Sequence, residues 1–132
     1  MTGTDESLRL KLDANPENVA VARAAVDDLA QSLGMEEPLL GDLKTIVSEA
    51  CTNVVRHAYP DGPGNLELEA FRSGANLSIL VRDFGVGLQA RGAERGSSLG
   101  LGLGLISMLA DRFQISGGSA GTEIRAELPL PC

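Results

Sequence analysis

The run Gly100-Leu101-Gly102-Leu103-Gly104-Leu105-Ile106 restricts the fold of this chain more than any other segment. In a helix interior glycine costs up to about 1 kcal/mol relative to alanine, so three in alternation do not belong to an ordinary one. Followed by apolar residues, they read as a helix start whose N-terminal backbone is bare. N–H groups presented there form an anion site, above all for phosphate. Glycines serving helix packing alone would leave the same pattern.

The rest of the chain narrows what such a site can be. No Gly-Lys-Ser/Thr follows any glycine run, which excludes a P-loop. Gly85-Val86-Gly87-Leu88-Gln89-Ala90 fits a dinucleotide-binding pattern, but Arg91-Gly92-Ala93-Glu94-Arg95-Gly96 after it does not read as the helix of a βαβ unit. With 11 basic and 18 acidic side chains the formal net charge is −7. That balance argues against a general basic field for nucleic acid or anionic membrane. At 132 residues and 43% apolar composition, residues 1–132 are expected to form one domain. Cys51 and Cys132 make neither a disulfide framework nor a metal cluster, which suits a reducing compartment. Met1-Thr2-Gly3-Thr4-Asp5-Glu6 lacks the basic and apolar regions of a signal peptide, so a cytoplasmic location is expected. No apolar run approaches the roughly 18 residues of a membrane span.

Periodicity supplies the elements. Leu8, Leu10 and Leu12 alternate as in a half-buried strand. Asn15-Pro16-Glu17 predicts an N-cap, and Val19, Ala22, Val26, Leu29, Ala30 and Leu33 continue at helical spacing to a stop at Gly34. A second helix is predicted from near Glu36 to about Ala58, with Leu39, Leu43, Ile46, Val47, Ala50 and Val54 as its core stripe. Tyr59-Pro60-Asp61-Gly62-Pro63-Gly64 closes it. Leu66, Leu68 and Ala70, then Leu77, Ile79 and Val81, predict a hairpin turning at Ser73-Gly74-Ala75-Asn76. A glycine-rich loop is expected over Asp83 to Leu99, followed by a helix carrying Leu105, Ile106, Met108 and Leu109. Phe113 to Ser116 and Thr122 to Leu128 predict a second hairpin. This order implies a two-layer α/β sandwich, with helices on one face of a mixed, mostly antiparallel sheet. Crossover helix is too scarce for a doubly wound fold.

Two further constellations carry chemistry. Glu49, Asn53 and His57, at i, i+4 and i+8, fall within about 80° on the second helix, beside its apolar stripe. An Asn oxygen suits a hard cation such as magnesium, and a Glu one turn away can polarise a hydroxyl or a water. A solvated helix edge has the same spacing. Asp83-Phe84-Gly85-Val86-Gly87 follows a strand directly. There the acid can accept a hydrogen bond from an exocyclic amine, and glycines admit a flat ligand. A tight strand-exit turn would look alike.

Taken in order, these pieces resemble the N, G1 and G2 boxes of the GHKL ATPase superfamily. Within it the chain is most similar to the small anti-sigma-factor serine kinases of the RsbW and SpoIIAB type. The resemblance runs from the first strand to Leu128. It rests on Glu49-Ala50-Cys51-Thr52-Asn53 with His57-Ala58-Tyr59, Asp83 to Gly87, Gly100 to Ile106 with Asp111, and Gly121-Thr122-Glu123. It implies a Bergerat-type ATP-binding fold, ATP and Mg2+ as cofactors, and a role for each matching residue. Asn53 would coordinate the magnesium, and Glu49 would be the general base for a substrate serine. Asp83 would read the adenine amine, with Gly85 and Gly87 admitting the base and Thr122 supporting it. The backbone from Gly100 through Leu101, Gly102 and Leu103 to Gly104 would cradle the phosphates. His57 belongs to the helix motif and reads as packing or capping more than as catalytic, and Arg91 and Arg95 in the lid read as solvated charges, with a contact to the γ-phosphate as the alternative. The lid is short and no phosphoacceptor-histidine helix precedes it, which disfavours a histidine kinase. The implied partners are a sigma factor and a STAS-type anti-anti-sigma protein, with the kinase a homodimer that touches neither nucleic acid nor membrane. Retention of Glu49 favours transfer over a module that only binds nucleotide, while a switch kinase of another signalling complex would use the same site.

Overall fold

The structure is a computed structural model and describes residues 7–86, 98–118 and 120–131, without the side chains of 98–101 and 118. Among the described residues five strands, β1 (Ser7–Asp13), β2 (Asn65–Ser73), β3 (Asn76–Asp83), β4 (Arg112–Gly118) and β5 (Gly121–Pro129), accompany three helices. The helices are α1 (Pro16–Ser32), α2 (Leu39–His57) and α3 (Ser98–Leu109).

Local chemistry sets the ends of α1. Asn15 caps its N-terminus, accepting the Asn18 N–H at 2.9 Å, and Pro16 takes the first helical position. Gly34, at φ 93°, follows its last turn. The Gly34 N–H reaches the Gln31 carbonyl and the Met35 N–H the Ala30 carbonyl, both at 3.0 Å, closing a Schellman motif. The second helix begins three residues later than Glu36, because Glu36 to Pro38 form the connection from α1.

The sheet order is β1-β2-β3-β5-β4, and every pairing is antiparallel. The expected mixed sheet is therefore corrected to a fully antiparallel one among the described residues. Its register gives the reason. Asp13 at the end of β1 pairs with Asn65 at the start of β2, so α1 and α2 carry the chain out and back to one edge. Strands β3 and β4 do run the same way, joined across α3, but β5 lies between them and pairs antiparallel with both.

Alternation sorts the sheet into two faces. Leu66, Leu68, Ala70, Leu77, Ile79, Val81, Ile124, Ala126 and Leu128 join the α2 residues Leu43, Ile46, Val47, Ala50 and Val54 in the core. The opposite face carries charge. Arg82 Nη1 lies 3.3 Å from both Glu67 and Glu69, and its Nη2 lies 3.0 Å from Glu123. The bond to Glu123 foremost, and those to Glu67 and Glu69, hold the guanidinium above its ordinary pKa against the opposing effect of burial.

The glycine-rich helix departs from expectation. It starts at Ser98, inside the predicted loop, so Gly100 and Gly102 lie within its first turns and Gly104 follows them. Ile106, fully buried, anchors α3 in the core beside α2. Tertiary packing of this kind outweighs a per-residue glycine cost of about 1 kcal/mol.

Candidate nucleotide site

The core stripe of α2 fixes the helix rotation, and with it the direction of Glu49, Asn53 and His57. All three line a cavity of about 740 Å³ between α2 and α3. Asn53 is only 7% exposed, and its Nδ2 is buried without a hydrogen-bond partner. Glu49 is half-buried. Opposite it, a Cβ added at Gly102 would stand 2.9 Å from Glu49 Oε1, so the missing side chain is what lets the carboxylate reach the α3 backbone. Gly104 also lines the cavity, whereas Leu103 is turned against the core. Gly100 and Leu101 belong to the first turn of α3.

Asp83 and Thr122 belong to a separate part of the molecule, where β3 and β5 meet at one end of the sheet. They are register partners, 2% and 4% exposed, and neither lines the large cavity. Thr122 Oγ1 is buried without a hydrogen-bond partner. Just past Asp83 three successive amides are tied down. The Phe84 N–H donates to Tyr59 Oη at 2.9 Å, the Gly85 N–H to Asp83 Oδ1 at 3.1 Å, and the Val86 N–H to the Ala58 carbonyl at 2.8 Å. A Cβ at Gly85 would collide with the Ala58 carbonyl oxygen, so the protein's own backbone requires this glycine. Gly87, Arg91, Arg95 and Cys132 lie outside the described residues.

Sequence reasoning gave no site role to Thr52, Arg56, Leu105, Ser107 and Met108, which complete the cavity wall. Thr52 and Arg56 sit at i+3 and i+7 from Glu49, so the helical rule that linked Glu49 to Asn53 already contained them. Met108 carried no such signal: an apolar residue in an apolar helix, it is nevertheless 80% exposed. Arg56 and His57 occupy the last turn of α2, where the Arg56 guanidinium complements the negative end of the helix dipole.

The donor set fits a nucleotide triphosphate better than a resident metal. Among the described residues no group of three or more His, Cys, Asp or Glu is placed to hold a metal ion. An amide such as Asn53 suits a hard cation that draws its other ligands from phosphate and water, as magnesium does. Its orphaned Nδ2 donor suits an acceptor oxygen. No helix of the described residues is long and apolar enough to cross a membrane.

Comparison with known proteins places the chain in a family. The family model of the histidine kinase-like ATPase domain matches residues 12–128. The serine-protein kinase RsbW of Bacillus thuringiensis (strain Al Hakam) is 32% identical over 123 residues, covering 83% of this chain and 77% of the relative. RsbW of Bacillus cereus (strain AH820) gives the same identity and coverage, 32%, 83% and 77%. A crystal structure of the RsbU and RsbW domains of Rv1364c from Mycobacterium tuberculosis shares the fold, with a TM-score of 0.74 at 24% identity over 94% of this chain. The present chain spans 32% of that longer one. It belongs to the histidine kinase-like ATPase family and, within it, to the RsbW-type serine-protein kinases, which makes it a protein-serine kinase that draws on ATP.

Proposed function

We propose that this kinase is an anti-sigma factor that sequesters a sigma factor and phosphorylates a serine of a STAS-type anti-anti-sigma protein. It acts as one cytoplasmic domain, residues 1–132, that pairs as a homodimer. The observation that carries the catalytic part is the placement of Glu49 and Asn53 on successive turns of α2, both facing one cavity across from Gly102.

The roles divide by chemistry. Asp83 accepts the adenine amine, with Thr122 Oγ1 beside it as a buried group still lacking a partner and Gly87 admitting the base, while Gly85 lets the loop after Asp83 close onto the Ala58 carbonyl. The α3 backbone from Gly100 to Gly104, Leu101 and Leu103 included, faces the phosphates. Asn53 Oδ1 would hold magnesium while its Nδ2 donates to a phosphate oxygen. Bound there, magnesium would supply charge neutralisation to the triphosphate. Glu49 acts on the partner. Its carboxylate takes the serine proton as the serine oxygen attacks the γ-phosphorus, the bond to the β,γ-bridging oxygen breaks, and ADP leaves. The new phosphoserine adds about −1.5 to −2 charges at pH 7, unfavourable against an acidic chain, so the partner departs and the sigma factor rebinds.

This is tested with the purified protein, γ-labelled ATP, magnesium, a STAS protein and a sigma factor. Label is expected on a serine of the STAS protein. The unphosphorylated partner should displace sigma and the phosphorylated one should not. An unlabelled partner, or equal displacement by both forms, would contradict the proposal.

A further inference from the structure

Tyr59, the single tyrosine of the chain, belongs to no role assigned above. It follows the end of α2 and does not line the cavity that holds Glu49 and Asn53. Its hydroxyl is nonetheless fully employed, donating its one proton to the Asn65 carbonyl at 2.6 Å and accepting the Phe84 N–H at 2.9 Å. Asn65 opens β2, and the next residue, Leu66, is the register partner of Asp83. The ring is seated between two glycines: a Cβ at Gly64 would enter the ring, and one at Gly85 would stand 3.0 Å from Cδ1. Ala58, the preceding residue, takes the Val86 N–H at 2.8 Å. Residues 58 and 59 therefore hold the amides on both sides of Gly85, while Asp83 Oδ1 holds that of Gly85 itself at 3.1 Å.

We infer that Tyr59 is a positioning residue for adenine recognition, its hydroxyl locking the loop after Asp83 to the end of the helix that carries Asn53 and Glu49. The inference rests on the proposed reading of the adenine amine by Asp83. Tyr59 touches no reacting atom and acts by fixing where the Asp83 carboxylate stands relative to the phosphate-facing helix. A hydrogen-bonding site that is held in place rejects an analogue lacking the matching group far more strongly than one free to relax.

The test compares ATP with inosine triphosphate, which carries a carbonyl where adenine has its exocyclic amine. Affinities for both, with magnesium, are measured on the full chain as wild type, Tyr59→Phe and Leu80→Ala. Phenylalanine keeps the ring between the glycines and removes both hydrogen bonds. Leu80, on the opposite face of the sheet, reports the effect of a general loss of stability. Tyr59→Phe should reduce the preference for ATP by about tenfold, chiefly through weaker ATP binding, while Leu80→Ala keeps the wild-type ratio. Equal weakening of both nucleotides in Tyr59→Phe, or the same collapse of the ratio in Leu80→Ala, would overturn the inference and leave the adenine role of Asp83 standing. A wild type that does not distinguish the two nucleotides would overturn both.

Discussion

Asp83 and Thr122 sit at the end of a sheet, almost wholly buried and placed by strand register, whereas Glu49 and Asn53 look across a cavity at a glycine-rich helix. Around Asp83 the backbone donors are already spent on the protein, at Tyr59 Oη, Asp83 Oδ1 and the Ala58 carbonyl. Around Asn53 a buried donor waits for a partner, and a half-buried carboxylate faces bare backbone. On the proposed reading, the base-facing half is satisfied mainly by the protein's own groups, Thr122 Oγ1 excepted, and the phosphate-facing half is completed by the ligand. Changes in the first half should damage fold and binding together, and changes in the second should damage phosphate binding or chemistry and spare the fold.

Two glycine-to-alanine substitutions probe that contrast most sharply. At Gly85 the new methyl meets the rigid Ala58 carbonyl, so Gly85→Ala should destabilise the protein by about 3 kcal/mol and weaken ATP binding with it. Thermal unfolding and nucleotide titration read the two effects. At Gly102 the methyl meets only the end of the Glu49 side chain, which can move. Gly102→Ala should therefore leave the melting temperature unchanged or raise it, by up to about 1 kcal/mol of helix propensity. The displaced carboxylate should lower phosphotransfer by roughly 10²-fold. Should both variants lose stability alike, the two halves are not built differently.

Two smaller effects mark the limits of the comparison. Arg82 is partly exposed on the open face, so Arg82→Met should cost no more than about 1 kcal/mol in denaturant unfolding and leave transfer unchanged. Cys51 lies in the same helix as Glu49 and Asn53 but faces the core, and burial pushes its thiol from 9.0 up to about 12. Because the folded pKa is raised, the stability gained from the neutral thiol is full below about pH 9 and declines as pH rises toward 12. Site-resolved alkylation at pH 8 should leave Cys51 unmodified until the protein unfolds.

Local patterns made most of the fold legible. The Asn15-Pro16 cap, Gly34 as a stop and the alternation of β2 and β3 each report their immediate surroundings. The spacing of Glu49, Asn53 and His57 was legible too, because α2 has a strong core stripe that fixes its rotation. Partners distant in sequence were not. Nothing local says that β5 inserts between β3 and β4, which made a mixed sheet the natural expectation. The start of α3 was hidden as well, since its packing against α2 overrides the propensity of its glycines. Gly85 read as room for a ligand, while its nearest neighbour is the end of a helix more than 25 residues earlier in the chain. Tyr59 looked like the first residue of a turn, and its two hydrogen bonds reach Asn65 and Phe84.

Single-turnover transfer of the γ-phosphate to a STAS-protein serine, measured beside ATP affinity in wild type and Glu49→Gln, tests the central claim most directly. Glu49→Gln should keep ATP affinity and slow transfer by about 10²–10⁴-fold, the range for removal of a general base. Undiminished transfer in Glu49→Gln would contradict the account.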